Sequence, residues 1–237
     1  MNRISLFVPE SDLAELNNNL PHSGFHYVKA GLFNNGEIDK VKVRYRGDTI
    51  LHWGTPKKSF RVKTKKNKLY KGMRKFNVIT PKSEFIIINH LSYELARALK
   101  LMAPKSEMVD LIVNGELRGV HLMVEQLGEL TLRRNGRMPG DVYVGELILK
   151  DKYTGKGVNS YVFDHPGLWD KVAINNHFGS KSKQPLERLI ELLNTELTAD
   201  SARQLDSLLD MEAWGAFSAF ETLAQTSHFD DNHNWRL

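Results

Sequence analysis

Near its C-terminus the chain reads HFDDNHN at residues 228–234, where two carboxylates, two imidazoles and two amides fall within seven positions. Ionised carboxylates taken out of water need a partner, a metal or a proton, so such a run is either a solvated loop or a site. Asp and Asn also favour turns for local reasons. The density of titratable groups nonetheless favours chemistry, with Asp230 or its neighbour Asp231 as an acid that orients or deprotonates a hydroxyl. Asn234, four residues after Asp230, would offer an amide oxygen to a hard cation such as Mg²⁺, with Asp230 as a second oxygen ligand.

A second concentration of charge lies upstream. Residues 40–75 hold 14 Lys and Arg against one acid, Asp48, leaving 19 of the 33 basic residues against 27 of the 28 acids elsewhere. A basic segment feeding an acidic body implies an anion held where they meet. Nucleic acid is an unlikely partner, because few aromatic residues interleave with these lysines to stack on bases.

The elements that must carry these groups follow from periodicity. Val41, Val43 and Tyr45 alternate with Lys42, Arg44 and Arg46, predicting a half-exposed strand that ends at Gly47. KKSFRVKT resumes the alternation after a glycine-flanked loop, and KFNVIT predicts a third strand closed by Pro81. Residues 83–100 predict a helix capped by Ser83, with Ile87, Leu91, Leu95 and Ala98 on one inward stripe. Strands at 107–113 and 116–125 are joined by Asn114-Gly115, a tight-hairpin dipeptide. A short helix and a strand or hairpin follow at 126–150. Beyond a weakly patterned stretch at 150–182, helices are predicted at 185–195, 198–209 and 210–227. The last turns Trp214, Phe217, Phe220 and Leu223 toward a core, and Trp235 anchors the terminal loop.

The composition, 41% apolar and 26% charged over 237 residues, is that of a globular protein with one large or two small lobes. No apolar run approaches the roughly 18 residues of a membrane span, and MNRISLFVPESDL turns polar too early for a signal peptide. Cysteine is absent, which excludes disulfides and thiolate metal sites.

A sheet with one intercalated helix, then helices delivering an acidic loop, is the build order of protein kinases. In that template a strand lysine holds phosphates and a loop of the form H-R-D-x-x-x-x-N follows a long helix. The segments VRYRG (43–47), PKKSFRVK (56–63), LSYELARALKLMAPKSEMVDLIVNGELRGVHLMVEQ (91–126) and the terminal DDNHNWRL together resemble the CotH kinase family, from about residue 27 onward. The resemblance implies an α+β, atypical kinase-like, two-lobed fold: an N-terminal antiparallel sheet with one intercalated helix over 1–126, then the start of a mainly helical lobe over 127–237. It implies ATP with Mg²⁺ or Mn²⁺ as cofactors and a protein Ser or Thr, on a coat or surface protein or on the kinase itself, as acceptor. The resemblance further implies Lys58, helped by Arg46 and Arg61, as the phosphate ligands, with Lys57 left as a solvent-exposed lysine, Glu125 at the adenine-contacting linker and Met123 as a further adenine contact.

Two departures accompany the resemblance. Ile88-Asn89-His90 stands where the family carries an Arg-Glu-Lys type run, so Glu94 or Glu84 would have to supply the helix acid. The family's Pro-Trp-Asp-x-Asp-like segment would follow Leu237, so this stretch by itself is expected to be weakly active or inactive. The alternative is a catalytically dead surface or coat scaffold, or an adhesion module. The compartment, spore coat, cell surface or cytoplasm, is left open.

Overall fold

The computed structural model describes residues 2–20, 26–47, 50–81, 87–147, 161–173, 182–224 and 235–237. The chain divides into two compact units, Met1–Leu95 with Ala103–Thr131, and Ala96–Met102 with Leu132–Leu237.

In the first unit the expected open antiparallel sheet is instead a closed seven-stranded barrel. Its strands are β1 (Asn2–Phe7), β2 (Val28–Asn34), β3 (Glu37–Tyr45), β4 (Phe60–Lys63), β5 (Lys75–Ile79), β6 (Ser106–Val113) and β7 (Glu116–Glu125). They run in the order β1-β2-β3-β4-β5-β7-β6. Every pairing is antiparallel except the closing one, where β1 runs parallel to β6 with Ile4 opposite Leu111 and Leu6 opposite Val113. Closure removes the edges that an open sheet would present. Alternate side chains point inward, and Ile4, Leu6, Val43, Val62, Phe76, Val78, Leu111 and Met123 fill the interior. The β6–β7 turn is as the dipeptide predicts: Asn114 and Gly115 both have positive φ, 52° and 86°, the twist that suits a two-residue hairpin. Helix α1 (Glu10–Asn18) joins β1 to β2 and buries Leu16.

Helix α2 (Ile88–Ala98) falls within the range predicted for it, but its predicted inward stripe does not hold. Ile87, Leu91 and Ala98 are exposed and Ala96 is the buried position. The helix is also held to β6 by His90, whose Nδ1 lies 2.9 Å from Ser106 Oγ. Ser83 lies outside the described residues.

The second unit carries a three-stranded sheet in the order β10-β8-β9, with β8 at Val142–Gly145, β9 at Trp169–Ala173 and β10 at Trp235–Arg236. Helix α3 spans Glu129–Arg134. The three predicted C-terminal helices are present as α4 (Gln184–Leu193), α5 (Ala199–Leu208) and α6 (Met211–Ala224). Thr198 caps α5, accepting from the Ser201 amide at 3.1 Å. The core is Trp169, Leu168, Val162, Tyr143, Leu186 and Ile190. Trp169 is fully buried, and its indole N–H donates to the Val162 carbonyl at 2.6 Å. Of the predicted α6 stripe, Trp214, Phe217 and Phe220 are half-buried and in ring contact with one another, whereas Leu223, 65% exposed, departs from it. Among the described residues no helix is long and apolar enough to cross a membrane.

Candidate functional site

The predicted site residues of the barrel separate onto two faces of the same strands. Arg44 on β3 lies opposite Arg61 on β4, Arg61 opposite Asn77 on β5, and Asn77 opposite Val124 on β7. This row alternates with the core residues, so it forms the outer face of the barrel. Arg61 Nε donates to Asn77 Oδ1 at 2.8 Å, and Asn77 Nδ2 reaches Gln126 Oε1 at 3.4 Å.

Arg46, two residues beyond Arg44, belongs to the same face. Its Nη1 lies 2.9 Å from His52 Nε2 and 3.4 Å from Nδ1. That nitrogen lies 3.3 Å from Ser59 Oγ, which in turn accepts from the Thr80 amide at 3.0 Å. The approach of His52 explains Gly47. Its φ is +103° and an added Cβ would sit 2.1 Å from the imidazole, so both conformation and space demand glycine.

Lys58, grouped with these arginines by the sequence, stands elsewhere. It opens onto a cavity of about 390 Å³ at the mouth of the barrel, lined also by Asn17, Tyr45, Phe60 and Arg118. Its Nζ donates to the Thr55 carbonyl at 3.3 Å and sits 5.7 Å from the Tyr45 ring centre. Burial, and then the neighbouring Arg118 charge, lower its pKa. The expected trio of phosphate ligands is therefore two arginines on one face and a lysine on the other.

The two adenine candidates also need revision. Met123 is 1% exposed and part of the barrel interior, so its side chain offers no surface to a base. Glu125 is 5% exposed, and its carboxylate accepts from the Lys105 amide at 3.2 Å. The Glu125 amide donates to the Lys105 carbonyl at 2.8 Å and the Gln126 amide to the Lys75 carbonyl at 2.9 Å. The backbone donors at this strand end are thus spent on the barrel, and an adenine edge would have to be read by carbonyls or by residues after Gln126. Gln126 and Asn77, which the sequence reading did not single out, are the amides on the outer face. The signal available was their alternation with Phe76, Val78 and Met123.

Asp230, Asp231 and Asn234 lie outside the described residues, but the residues flanking the segment 225–234 are described. Helix α6 leads into it and β10 receives it. Trp235 and Arg236 pair with Gly145 and Val144, and the Leu237 and Tyr143 amides exchange hydrogen bonds at 3.1 and 2.8 Å. The Trp235 ring lies edge-on to Phe163 at 4.9 Å and contacts Trp214 at 6.3 Å and Phe217 at 6.2 Å. Trp235 is the predicted anchor, and it ties β10 to helix α6. Among the described residues, no group of three or more His, Asp or Glu is placed to hold a metal ion.

No curated protein matches the chain. The family model described as CotH kinase protein matches residues 43–237, a span that runs from the basic strands through the terminal acidic loop. The chain therefore belongs to the CotH kinase protein family.

Proposed function

We propose that this protein transfers the γ-phosphoryl group of ATP to Ser or Thr hydroxyls of a protein acceptor, with Mg²⁺ or Mn²⁺ as the accompanying ion. The observation that carries the reading is the family match over 43–237, joined to a face on which guanidinium and amide groups are held in a row. Phosphoryl transfer asks little covalent chemistry of a protein; it asks for positioning and charge neutralisation. Arg46 and Arg61 supply the charge. Their orientation is set by His52 and Asn77, so less rotamer freedom is lost when an anion arrives. Gln126 and the strand end after Glu125 lie beside Asn77 for the base.

In the transfer itself, the acceptor oxygen bonds to the γ-phosphorus as the bond to the β,γ-bridging oxygen breaks, and ADP departs. Asp230, or Asp231 in its place, takes the hydroxyl proton. Asn234 and Asp230 are the proposed ligands of the divalent ion, which when bound neutralises phosphate charge.

The test is radiolabel transfer from ATP into protein by the full-length protein with Mg²⁺ or Mn²⁺. Replacing Asp230 with Ala should reduce transfer by about 10²–10⁴-fold, the usual range for a positioned acid or base. Arg61→Ala should weaken ATP binding. Transfer that persists unchanged in both variants would overturn the assignment.

A further inference from the structure

The barrel mouth holds a second basic site, and its chemistry differs from that of the outer face. Lys58 has a carbonyl and a ring for neighbours, and among the described residues no carboxylate lies within ion-pair distance of it. Arg118 faces the same cavity. Among the described residues its one ion pair, at 2.8 Å, is with Glu116, a strand side chain two-thirds exposed, and such surface pairs are worth about 1 kcal/mol or less and exchange readily. Two cations thus flank one concavity without a buried acid between them.

The remaining wall is suited to an organic body. Tyr45, Phe60, Leu13 and Val113 supply apolar surface. The Tyr45 hydroxyl donates to Asn17 Oδ1 at 3.0 Å, and Asn17 also lines the cavity. Glu10, the single acid of the lining, is engaged by Asn114 Nδ2 at 2.9 Å. At about 390 Å³ the volume falls in the range of small-ligand pockets. Helix α1, which forms this wall, precedes the family-matched segment 43–237, so the site is not made from the matched region alone.

We infer that the barrel-mouth cavity is a phosphate-monoester site, with Lys58 and Arg118 holding the phosphate and the Tyr45 and Phe60 wall packing its organic part. A dianion answers two cations better than a carboxylate does, and a phosphate monoester carries about −1.5 to −2 at neutral pH. The inference stands apart from the nucleotide reading, which uses Arg46, Arg61 and Asn77. The phosphate could belong to a free small molecule or to a phosphorylated protein side chain.

Calorimetric titration of the whole chain separates these cases, using O-phosphoserine, a phosphoserine hexapeptide, unphosphorylated serine, inorganic phosphate and ATP. Phosphoserine or the peptide should bind, serine should not, and Lys58→Gln or Arg118→Gln should each weaken binding about tenfold or more, a charge-assisted contact being lost. Arg61→Ala should leave that binding unchanged. Equal affinity for amino acid and peptide identifies a free ligand; binding of the peptide alone identifies a protein side chain. Both glutamine substitutions are at partly exposed positions, and an unchanged melting midpoint will show that each variant is folded. The inference is overturned if no phosphate ester binds at about 10 mM, a bound near the weak end of specific recognition, or if binding survives both substitutions. It is also overturned if ATP depends on Lys58 and Arg118 but not on Arg61, which would make the cavity the nucleotide site. Loss of phosphoryl transfer alone leaves this result unaffected, so failure of either assignment is visible separately.

Discussion

The two units keep their cores by different means. In the barrel, seven strands each contribute inward side chains to one continuous interior, so stability is distributed and no single position decides it. The second unit has a three-stranded sheet, one strand of which is two residues long, and a smaller core gathered around Trp169. Its aromatic contacts, Phe163 against Trp169 at 5.1 Å and Phe163 against Trp235 at 4.9 Å, link that core to the end of the acidic loop. A distributed core tolerates local change, whereas a centred one transmits it.

The sharpest way to break this contrast is Trp169→Ala. Removing a fully buried indole should cost about 3–5 kcal/mol, and the loss should appear in the second unit. Hydrogen exchange should show protection falling across 132–237 while β1–β7 keep theirs; uniform loss in both units would contradict the contrast.

Next in size is an acid effect confined to the barrel. His121 is buried on β7, and its Nδ1–H donates to the Gly119 carbonyl at 2.8 Å. Burial, aided by the positive charge of Lys57, depresses its pKa from 6.5 to about 4. Between those values the unfolded chain binds a proton that the folded chain does not, so stability is complete above about pH 6.5 and falls as pH drops toward 4. The full loss is on the order of 3 kcal/mol. Urea midpoints measured across that window should decline in the native protein and flatten in His121→Gln, the variant itself being less stable at neutral pH. The smallest effect is expected where apolar residues face solvent. Leu91→Ser and Leu223→Ser should each change stability by about 0.5 kcal/mol or less, although periodicity alone would have ranked both as core.

Much of the barrel was legible locally. Val41, Val43 and Tyr45, then Phe60 and Val62, alternate cleanly, and Asn114-Gly115 marks its own turn. What could not be read was closure. Ile4 and Leu6 also alternate, but the partner of β1 is more than a hundred residues away and runs parallel to it, and no local pattern encodes such a pairing. The site shows the same division. The family resemblance grouped Arg46, Lys58 and Arg61, and a matched motif carries no information about sheet face. Only the register, with Arg61 opposite Arg44 and Asn77, separates the lysine from the arginines. The helical stripes failed for a related reason: helical spacing finds an apolar side, and tertiary packing decides whether anything covers it.

The parallel pairing of β1 with β6 has a consequence for how the chain is made. During synthesis β1 must wait until more than a hundred further residues have emerged before its parallel partner exists, so the ring cannot close until β6 has been made. A shortened gene product beginning where the family match begins, at residue 43, would lack β1, β2 and all but three residues of β3, leaving β4 and β6 with bare backbone edges, the usual template for self-association. Expression of such a product should yield aggregates, even though every residue it omits lies outside the matched region.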